Sequence, residues 1–262
     1  MRIVVCVKEV LDPAAVNNFA LAGGLKIAAD GKTPEVAAIP RLINGYDEQA
    51  IEAALRLRDA GIECRISVVT IGTDAQAMLK QCAALGADEI VALDPGAREL
   101  DCGGVANALH AYIAGSGGAD LVLCGRQASD DDQGVVPLLL AEKLGCAVTT
   151  LARELQCAAQ VLTVTRATPD GDEVVRAKLP ALVTVSSELG APRFPSAKAK
   201  MAARKMSAQV IAIDTLGLDA AALEPQVVLK RQFVPQVQGN CEFLSGTPAQ
   251  IAQALMERIR QG

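Results

Sequence analysis

Three short polar stretches in this 262-residue chain carry the side chains best suited to chemistry. The first is Cys6-Val7-Lys8-Glu9 and the second Ile71-Gly72-Thr73-Asp74. The third, Cys124-Gly125-Arg126-Gln127-Ala128-Ser129-Asp130-Asp131-Asp132-Gln133-Gly134, is the richest. There an apolar run passes through a glycine into an acidic loop, and a helix is expected to begin near Gln133. Unpaired backbone N–H groups at a helix start can hold phosphate. The three aspartates oppose an anion unless they turn inward as caps or hold sugar hydroxyls and loop amides. The alternative is an acidic loop that only caps a helix.

Other chemistry is poorly supported. His110 is the only histidine, which removes most catalytic triads and histidine metal sites, and its setting among Ala108, Leu109 and Ala111 suits a partly buried structural residue. Eight cysteines at positions 6, 64, 82, 102, 124, 146, 157 and 241 form no C-x-x-C pair; they read as buried thiols, with no metal site expected. Neither G-x-G-x-x-G nor G-x-x-x-x-G-K-[ST] occurs, so the common dinucleotide and P-loop fingerprints are missing. Ser116-Gly117-Gly118-Ala119-Asp120 has the composition of a pyrophosphate loop, but it follows a helix and opens a strand, the wrong order. A net charge of −5 with two Tyr, four Phe and no Trp disfavours nucleic-acid binding. The longest uncharged stretch, 102–119, holds five glycines, which is wrong for a bilayer span. The apolar run at the N-terminus is too short for a secretory signal, so a cytoplasmic location is expected.

The polar stretches sit where strands should end. Runs 3–7, 66–71, 89–93, 121–124 and 182–185 are short, apolar and rich in β-branched residues, as buried strands are. Segments 46–60, 74–85, 101–114 and 136–144 have helical spacing. In the first, Ala50, Ile51, Ala54, Leu55 and Leu57 share a face, and Glu48, Glu52, Arg56 and Asp59 lie on the other. Gly86 and Gly145 stand where a left-handed residue ends a helix. Strand–helix alternation predicts an α/β fold: an open, mainly parallel twisted sheet with helices on both faces. Ligands of such sheets bind beyond the carboxyl ends of the strands, where the winding reverses. Pro169-Asp170-Gly171-Asp172 between two extended runs predicts a β-hairpin over 160–178. Gly190-Ala191-Pro192-Arg193-Phe194-Pro195 marks an exit from the core. The expected division is a nucleotide-binding α/β domain over 1–189 and a C-terminal arm over 190–262. The arm carries a basic cluster (Arg193, Lys198, Lys200, Arg204, Lys205) and ends in an amphipathic docking helix over 247–261 with Ile251, Leu255 and Ile259 on its stripe.

Several of these segments together resemble the β subunit of an electron transfer flavoprotein. They are Val4-Val5-Cys6-Val7-Lys8-Glu9-Val10, Ile43-Asn44-Gly45-Tyr46-Asp47-Glu48-Gln49-Ala50, Leu85-Gly86-Ala87-Asp88-Glu89-Ile90 and Asp120-Leu121-Val122-Leu123-Cys124-Gly125-Arg126-Gln127-Ala128. Arg166, Asp170-Gly171-Asp172-Glu173, Leu179-Pro180-Ala181-Leu182-Val183-Thr184 and Pro192-Arg193-Phe194-Pro195-Ser196 complete the signature, with Met201-Ala202-Ala203-Arg204-Lys205 beyond it. The resemblance implies a fold related to universal stress proteins and adenine nucleotide α-hydrolases. It further implies an electron-carrying heterodimer with an α subunit that binds most of one FAD, and AMP or, in bifurcating members, a second FAD in this chain.

Carried over by position, the nucleotide contacts are Cys6, Lys8, Asn44, Ile71 and Gly72, with the loop residues Ala128, Asp130, Asp131, Asp132, Gln133, Gly134, Val135 and Val136. Tyr46 matches an aromatic near the α-bound flavin. Segment 195–205 matches a recognition loop for partner dehydrogenases, with Pro195, Ser196, Ala197, Lys198, Lys200 and Met201 as docking residues. The implied partners are the α subunit, flavin-dependent dehydrogenases and a downstream acceptor such as a quinone oxidoreductase. Three departures stand out: Asn44-Gly45 where Asn-Pro is common, Gln133-Gly134-Val135-Val136-Pro137 where Gln-Thr-Gly or Gln-Val-Gly is usual, and Ala197 and Ala167 in place of an anchoring leucine and an acidic residue. The alternatives are a bifurcating complex and a free-standing nucleotide sensor, the latter poorly matched to so long a tail. No residue is assigned acid–base work; the expectation is a carrier rather than a catalyst.

Overall fold

The computed structural model describes residues 1–35, 38–234 and 241–261. Its centre is β1 (Arg2–Cys6), whose residues alternate between two hydrophobic layers. Ile3 and Val5 pack with Ile51, Leu55 and Leu79 on one face, and Val4 and Cys6 pack with Leu109, Ile113 and Leu140 on the other. A strand apolar on both faces must be covered on both, and helices do so.

The chain continues through β2 (Glu9–Leu11), α1 (Pro13–Leu21), β3 (Arg41–Ile43), α2 (Gly45–Asp59), β4 (Arg65–Ile71), α3 (Gln76–Leu85), β5 (Glu89–Asp94), α4 (Cys102–Gly115), β6 (Leu121–Gly125) and α5 (Val136–Leu144). It then forms β7 (Ala147–Ala158), β8 (Val161–Thr168), β9 (Gly171–Lys178), β10 (Ala181–Val185), α6 (Ala197–Arg204), β11 (Gln209–Ala212) and α7 (Pro248–Gln261). The main sheet has nine strands in the order β11-β5-β4-β1-β6-β10-β7-β8-β9. Pairing is parallel from β11 to β7 and antiparallel from β7 to β9. Helices α2 and α3 cover one face and α4 and α5 the other. β2 and β3 form a separate antiparallel pair beside the end of β1.

The five expected strands and the helix pattern are present, and Gly145 ends α5 in the left-handed region with φ 61°. The expected hairpin is β8–β9, but it is the outer part of a three-stranded meander that begins with β7. β7 alternates poorly between apolar and polar residues and is interrupted at Leu151, whose φ is 60°, so its sequence carries a weak strand signal. Residues 190–195 form neither helix nor strand. The chain returns to add β11 to the edge of the sheet beside β5, and Ala203, Ile213 and Leu223 are buried in the body.

Three further expectations are corrected. Segment 195–205 is helical over α6, with Ser196 as its N-cap: the hydroxyl accepts the N–H of Ala199 at 3.1 Å. Glu52, placed by its spacing on the polar face of α2, is buried and held by Arg193, whose Nε lies 2.7 Å from Glu52 Oε2. Of the cysteines, Cys6, Cys82 and Cys124 are buried, four are half-buried and Cys241 is exposed. His110 is half-buried on α4, as expected. The C-terminal helix runs over α7 with Leu255, Met256 and Ile259 open to solvent. Among the described residues no helix is long and apolar enough to cross a membrane.

Candidate functional site

The winding reverses at β1. From it the chain moves outward through β4 and β5, then returns to lay β6 on the other side. The carboxyl ends of β4, β1 and β6 therefore lie side by side, with Cys6 in register with both Val69 and Cys124. An open sheet presents its ligand crevice at such a point.

The start of α2 organises this crevice. Asn44 stands at the N-cap of α2, yet its side chain does not cap the helix. It reaches the loop after β6 instead, where Nδ2 donates to the Gln127 carbonyl at 2.8 Å and Oδ1 accepts the Ser129 N–H at 3.2 Å. Its own N–H donates to the Lys8 carbonyl at 2.9 Å. Three residues on, the Asp47 carboxylate accepts the N–H of Lys8 at 2.8 Å and of Gly125 at 2.9 Å. Any side chain at 125 would collide with it, since a Cβ there would lie 2.4 Å from Asp47 Oδ1 and 2.7 Å from Tyr46 Cβ.

The acidic loop is exposed from Asp130 to Gln133, but each of its carboxylates has a partner at the site. Lys8 Nζ meets Asp130 at 2.8 Å and Asp131 at 3.2 Å. Asp131 also accepts the Gln133 N–H at 3.2 Å, and Asp132 accepts from Gln127 Nε2 at 2.7 Å. The loop thus turns its carboxylates to a lysine and to its own amides, the arrangement under which an anion can approach. Asp132 and Gly134 both have left-handed backbone, φ 52° and 62°. A Cβ at Gly134 would lie 2.9 Å from the Arg126 carbonyl oxygen, so glycine is required there by the chain itself.

Electrostatics follow from burial. Removal from water pushes the Asp47 carboxyl up to about 7, and the hydrogen bonds from Lys8 and Gly125 pull it back only part of the way. Burial opposes the charge of Lys8, but its hydrogen bonds and attraction to Asp130 and Asp131 outweigh this and raise its pKa. The Cys124 thiol is raised by its contact with Cys6 and by burial, which leaves it neutral and unreactive.

Among the sequence-predicted residues, Cys6, Lys8, Asn44 and the stretch from Ala128 to Val136 are brought together at the ends of β1 and β6. Ile71 and Gly72 lie at the neighbouring end of β4, where a Cβ at Gly72 would meet nothing closer than Ala75 at 3.9 Å. α5 begins at Val136, not near Gln133. Pro137 in its first turn has no N–H to offer, and among the described residues the N–H groups of Gly134, Val135 and Val136 donate to no acceptor. Tyr46 is half-buried with the Arg126 guanidinium over its ring, 5.6 Å from the centroid. The residues expected to dock a partner sit apart from this crevice, on α6 and the two residues before it; α6 packs against α3.

Sequence reasoning assigned no role to Asp47, Arg126 or Phe194, and placed Ser129 only within the loop from Ala128 to Val136. Asp47 lies within the helical run 46–60 and looks like any first-turn acid; only the β1–β6 neighbourhood reveals its use. The Ser129 hydroxyl is buried with no hydrogen-bond partner, an uncommon state for a polar atom. Phe194 is 96% exposed immediately before the docking segment. One cation, three unclaimed amides and one unclaimed hydroxyl beside an open strand end form a donor set suited to a phosphorylated ligand.

Fold and crevice together define a doubly wound α/β protein with an open crevice at the point where its winding reverses. The sequence profile of the electron transfer flavoprotein domain matches residues 33–216. Among curated proteins, the chain is 32% identical over its full length, and 98% of the relative, to the caffeyl-CoA reductase-Etf complex subunit CarD of Acetobacterium woodii. It is 33% identical to the electron transfer flavoprotein subunit beta of Megasphaera elsdenii over 85% of this chain and 80% of that one. Against the same subunit of Thermoanaerobacterium thermosaccharolyticum the identity is 32%, covering 99% and 98%. The chain belongs to the electron transfer flavoprotein β-subunit family.

Proposed function

We propose that this chain is the β subunit of a heterodimeric electron carrier and holds an adenine nucleotide in the crevice between β1 and β6. The observation that carries the nucleotide is the donor set at the crevice: the unclaimed amides of Gly134, Val135 and Val136 and the unpartnered Ser129 hydroxyl, with the Lys8 ammonium beside them, shared with Asp130 and Asp131. Lys8 and the amides would face phosphate, Cys6, Ile71 and Gly72 would line the base and sugar, and Asp130, Asp131 and Asp132 would keep the loop closed around them. AMP fits this set, as does the adenine half of an FAD.

The electron chemistry would be the flavin's: it takes up electrons from a flavin-dependent dehydrogenase and passes them to a downstream acceptor such as a quinone oxidoreductase. This chain would supply the surface against which an α-bound FAD rests, with Tyr46 and Arg126 at its edge. Residues Pro195, Ser196, Ala197, Lys198, Lys200 and Met201 would meet the dehydrogenase. The arm over 190–262 would serve assembly and the domain over 1–189 the nucleotide. The cytoplasm is the compartment this reading favours.

Co-expression with an α subunit, followed by denaturation and analysis of released small molecules, tests the reading. One FAD and one AMP per heterodimer are expected; release of no adenine nucleotide beyond one FAD would reject the crevice. A second reading, a bifurcating complex with FAD in this chain, is favoured by full-length similarity to a subunit of a caffeyl-CoA reductase-Etf complex. Two FAD and no AMP would select it.

A further inference from the structure

At the point where the sheet changes winding direction, the two strands that flank the crevice are joined by one side chain. The Asp47 carboxylate takes the N–H of Lys8 just past β1 on Oδ2 and the N–H of Gly125 at the end of β6 on Oδ1. Lys8 carries the cation of the crevice on the same residue, and Gly125 leads directly into Arg126 and the acidic loop. We propose that Asp47 is the positioning residue of this site, setting the separation of the β1 and β6 ends and thereby the opening that an adenine nucleotide enters. The proposal rests on the nucleotide reading above.

Three features support it. Asp47 is 6% exposed, so water does not compete for its two acceptor oxygens. No other described side chain accepts either amide. The missing side chain at 125 has a specific purpose, because a Cβ would occupy the space of Asp47 Oδ1. A carboxylate is also the only common side-chain group of this size that accepts at both ends. An asparagine would place an NH2 donor against one of the two amides.

The groups facing Asp47 are Lys8 from the end of β1, Cys124 and the Gly125 amide from β6, Cys82 from α3, and Asn44 at the start of α2, with Glu48 next to it on the helix. The two thiols are pushed upward by burial and contact and stay neutral. Lys8 stays charged, and Glu48 is shifted upward by its own burial. Asp47 is then the group whose ionisation changes near neutrality.

The test is equilibrium dialysis of the full chain, in the complex it purifies in, against labelled AMP at about pH 6 and about pH 8 for wild type, Asp47→Asn and Gly125→Ala. A phosphate monoester has its own proton equilibrium near pH 6, so variants are compared with wild type at each pH. At about pH 8 both variants are expected to bind AMP about tenfold more weakly, the loss of one charge-assisted hydrogen bond. At about pH 6, where wild-type Asp47 is itself largely protonated, the gap for Asp47→Asn closes while that for Gly125→Ala persists. Gly125→Ala displaces the carboxylate without changing charge and decides the matter if Asp47→Asn does not fold. Wild-type affinity in both variants would overturn the proposal, as would an equal loss in Asp47→Asn at both pH values, which is the behaviour of a merely structural residue. A wild-type complex that takes up no labelled AMP and, on denaturation, releases no adenine nucleotide beyond one FAD would overturn the nucleotide reading itself, and the positioning role with it.

Discussion

Arg193 grips Glu52 with both ends of its guanidinium, Nε at 2.7 Å from Oε2 and Nη2 at 3.2 Å from Oε1, and its backbone N–H adds a third bond at 3.2 Å. A carboxylate on the middle of α2 thus holds the segment that leaves the core. Nη2 also reaches Asp59 at 2.7 Å, and Arg56 Nε approaches Glu52 Oε1 at 3.0 Å. Burial alone would raise the Glu52 pKa, but the bonds from Arg193 and Arg56 reverse the direction and lower it. Arg193→Ala is expected to destabilise the protein by about 1–3 kcal/mol, because it leaves a buried carboxylate short of partners. It should also speed proteolysis at 190–205. Denaturation midpoints and limited proteolysis check both; an unchanged cleavage pattern would show that α6 is held by its packing on α3 alone.

Asp47 gives stability the opposite pH dependence. Its carboxyl is ionised above about 4 in the unfolded chain and above about 7 in the fold. Between those values the folded state binds the extra proton, so this group makes stability fall as pH rises and contributes nothing to the slope above about 7. Asp47→Asn removes that slope. Relative to wild type, the variant should gain about 3 kcal/mol between pH 5 and pH 8, read as the change in denaturation midpoint difference at the two pH values. Parallel wild-type and variant profiles would mean that Asp47 titrates as an ordinary carboxylate.

Gly134→Val is expected to weaken nucleotide retention for a reason internal to the chain. The residue is left-handed, and a β-carbon would press on the Arg126 carbonyl. A β-branched residue at such a position costs on the order of 2 kcal/mol, and the strain falls on the loop that carries the unclaimed amides. AMP released per heterodimer should drop several-fold, with a fall in melting temperature of about 4–8 °C for strain of that size. Full retention would place the phosphate elsewhere in the crevice.

The parts of this fold that were legible in the sequence are those with strong local signals. The buried strands are continuous apolar runs, α5 is bounded by Pro137 and Gly145, and Asp101 caps α4 by accepting the Gly104 N–H at 2.9 Å. The strand ends followed from alternation, and with them the neighbourhood of Lys8 and the acidic loop; Asn44 came only from the resemblance to the family. What was not legible depends on partners far along the chain. Glu52 has the spacing of a solvated face and is buried only because Arg193, distant in sequence, returns to it. β7 lacks clean alternation because the meander is half exposed, and α6 lacks an apolar stripe because only Ala203 is buried. Asp47 is one acid among several at the start of a helix until Gly125 is placed beside it.

Under the docking role proposed for segment 195–205, its helical form decides which side chains α6 would present to a dehydrogenase. Ala197 and Met201 stand four residues apart and so share a face; Met201 is 66% exposed, and Lys198 and Lys200 are exposed beside it. With alanine at 197 the apolar contribution there is smaller by about three carbons, on the order of 2 kcal/mol against a leucine in a desolvated pocket. Contact then leans on Met201, Phe194 and the lysines, and an encounter steered by exposed charge weakens with salt. Flavin reduction by the cognate dehydrogenase should therefore fall steeply with ionic strength in the wild-type complex. Ala197→Leu should raise the rate and flatten the salt dependence, Met201→Ala should lower the rate at every ionic strength, and Lys198→Glu/Lys200→Glu should lower it most at low salt. If all three behave as wild type while the heterodimer stays intact, α6 is a solvated helix and the dehydrogenase docks on another face.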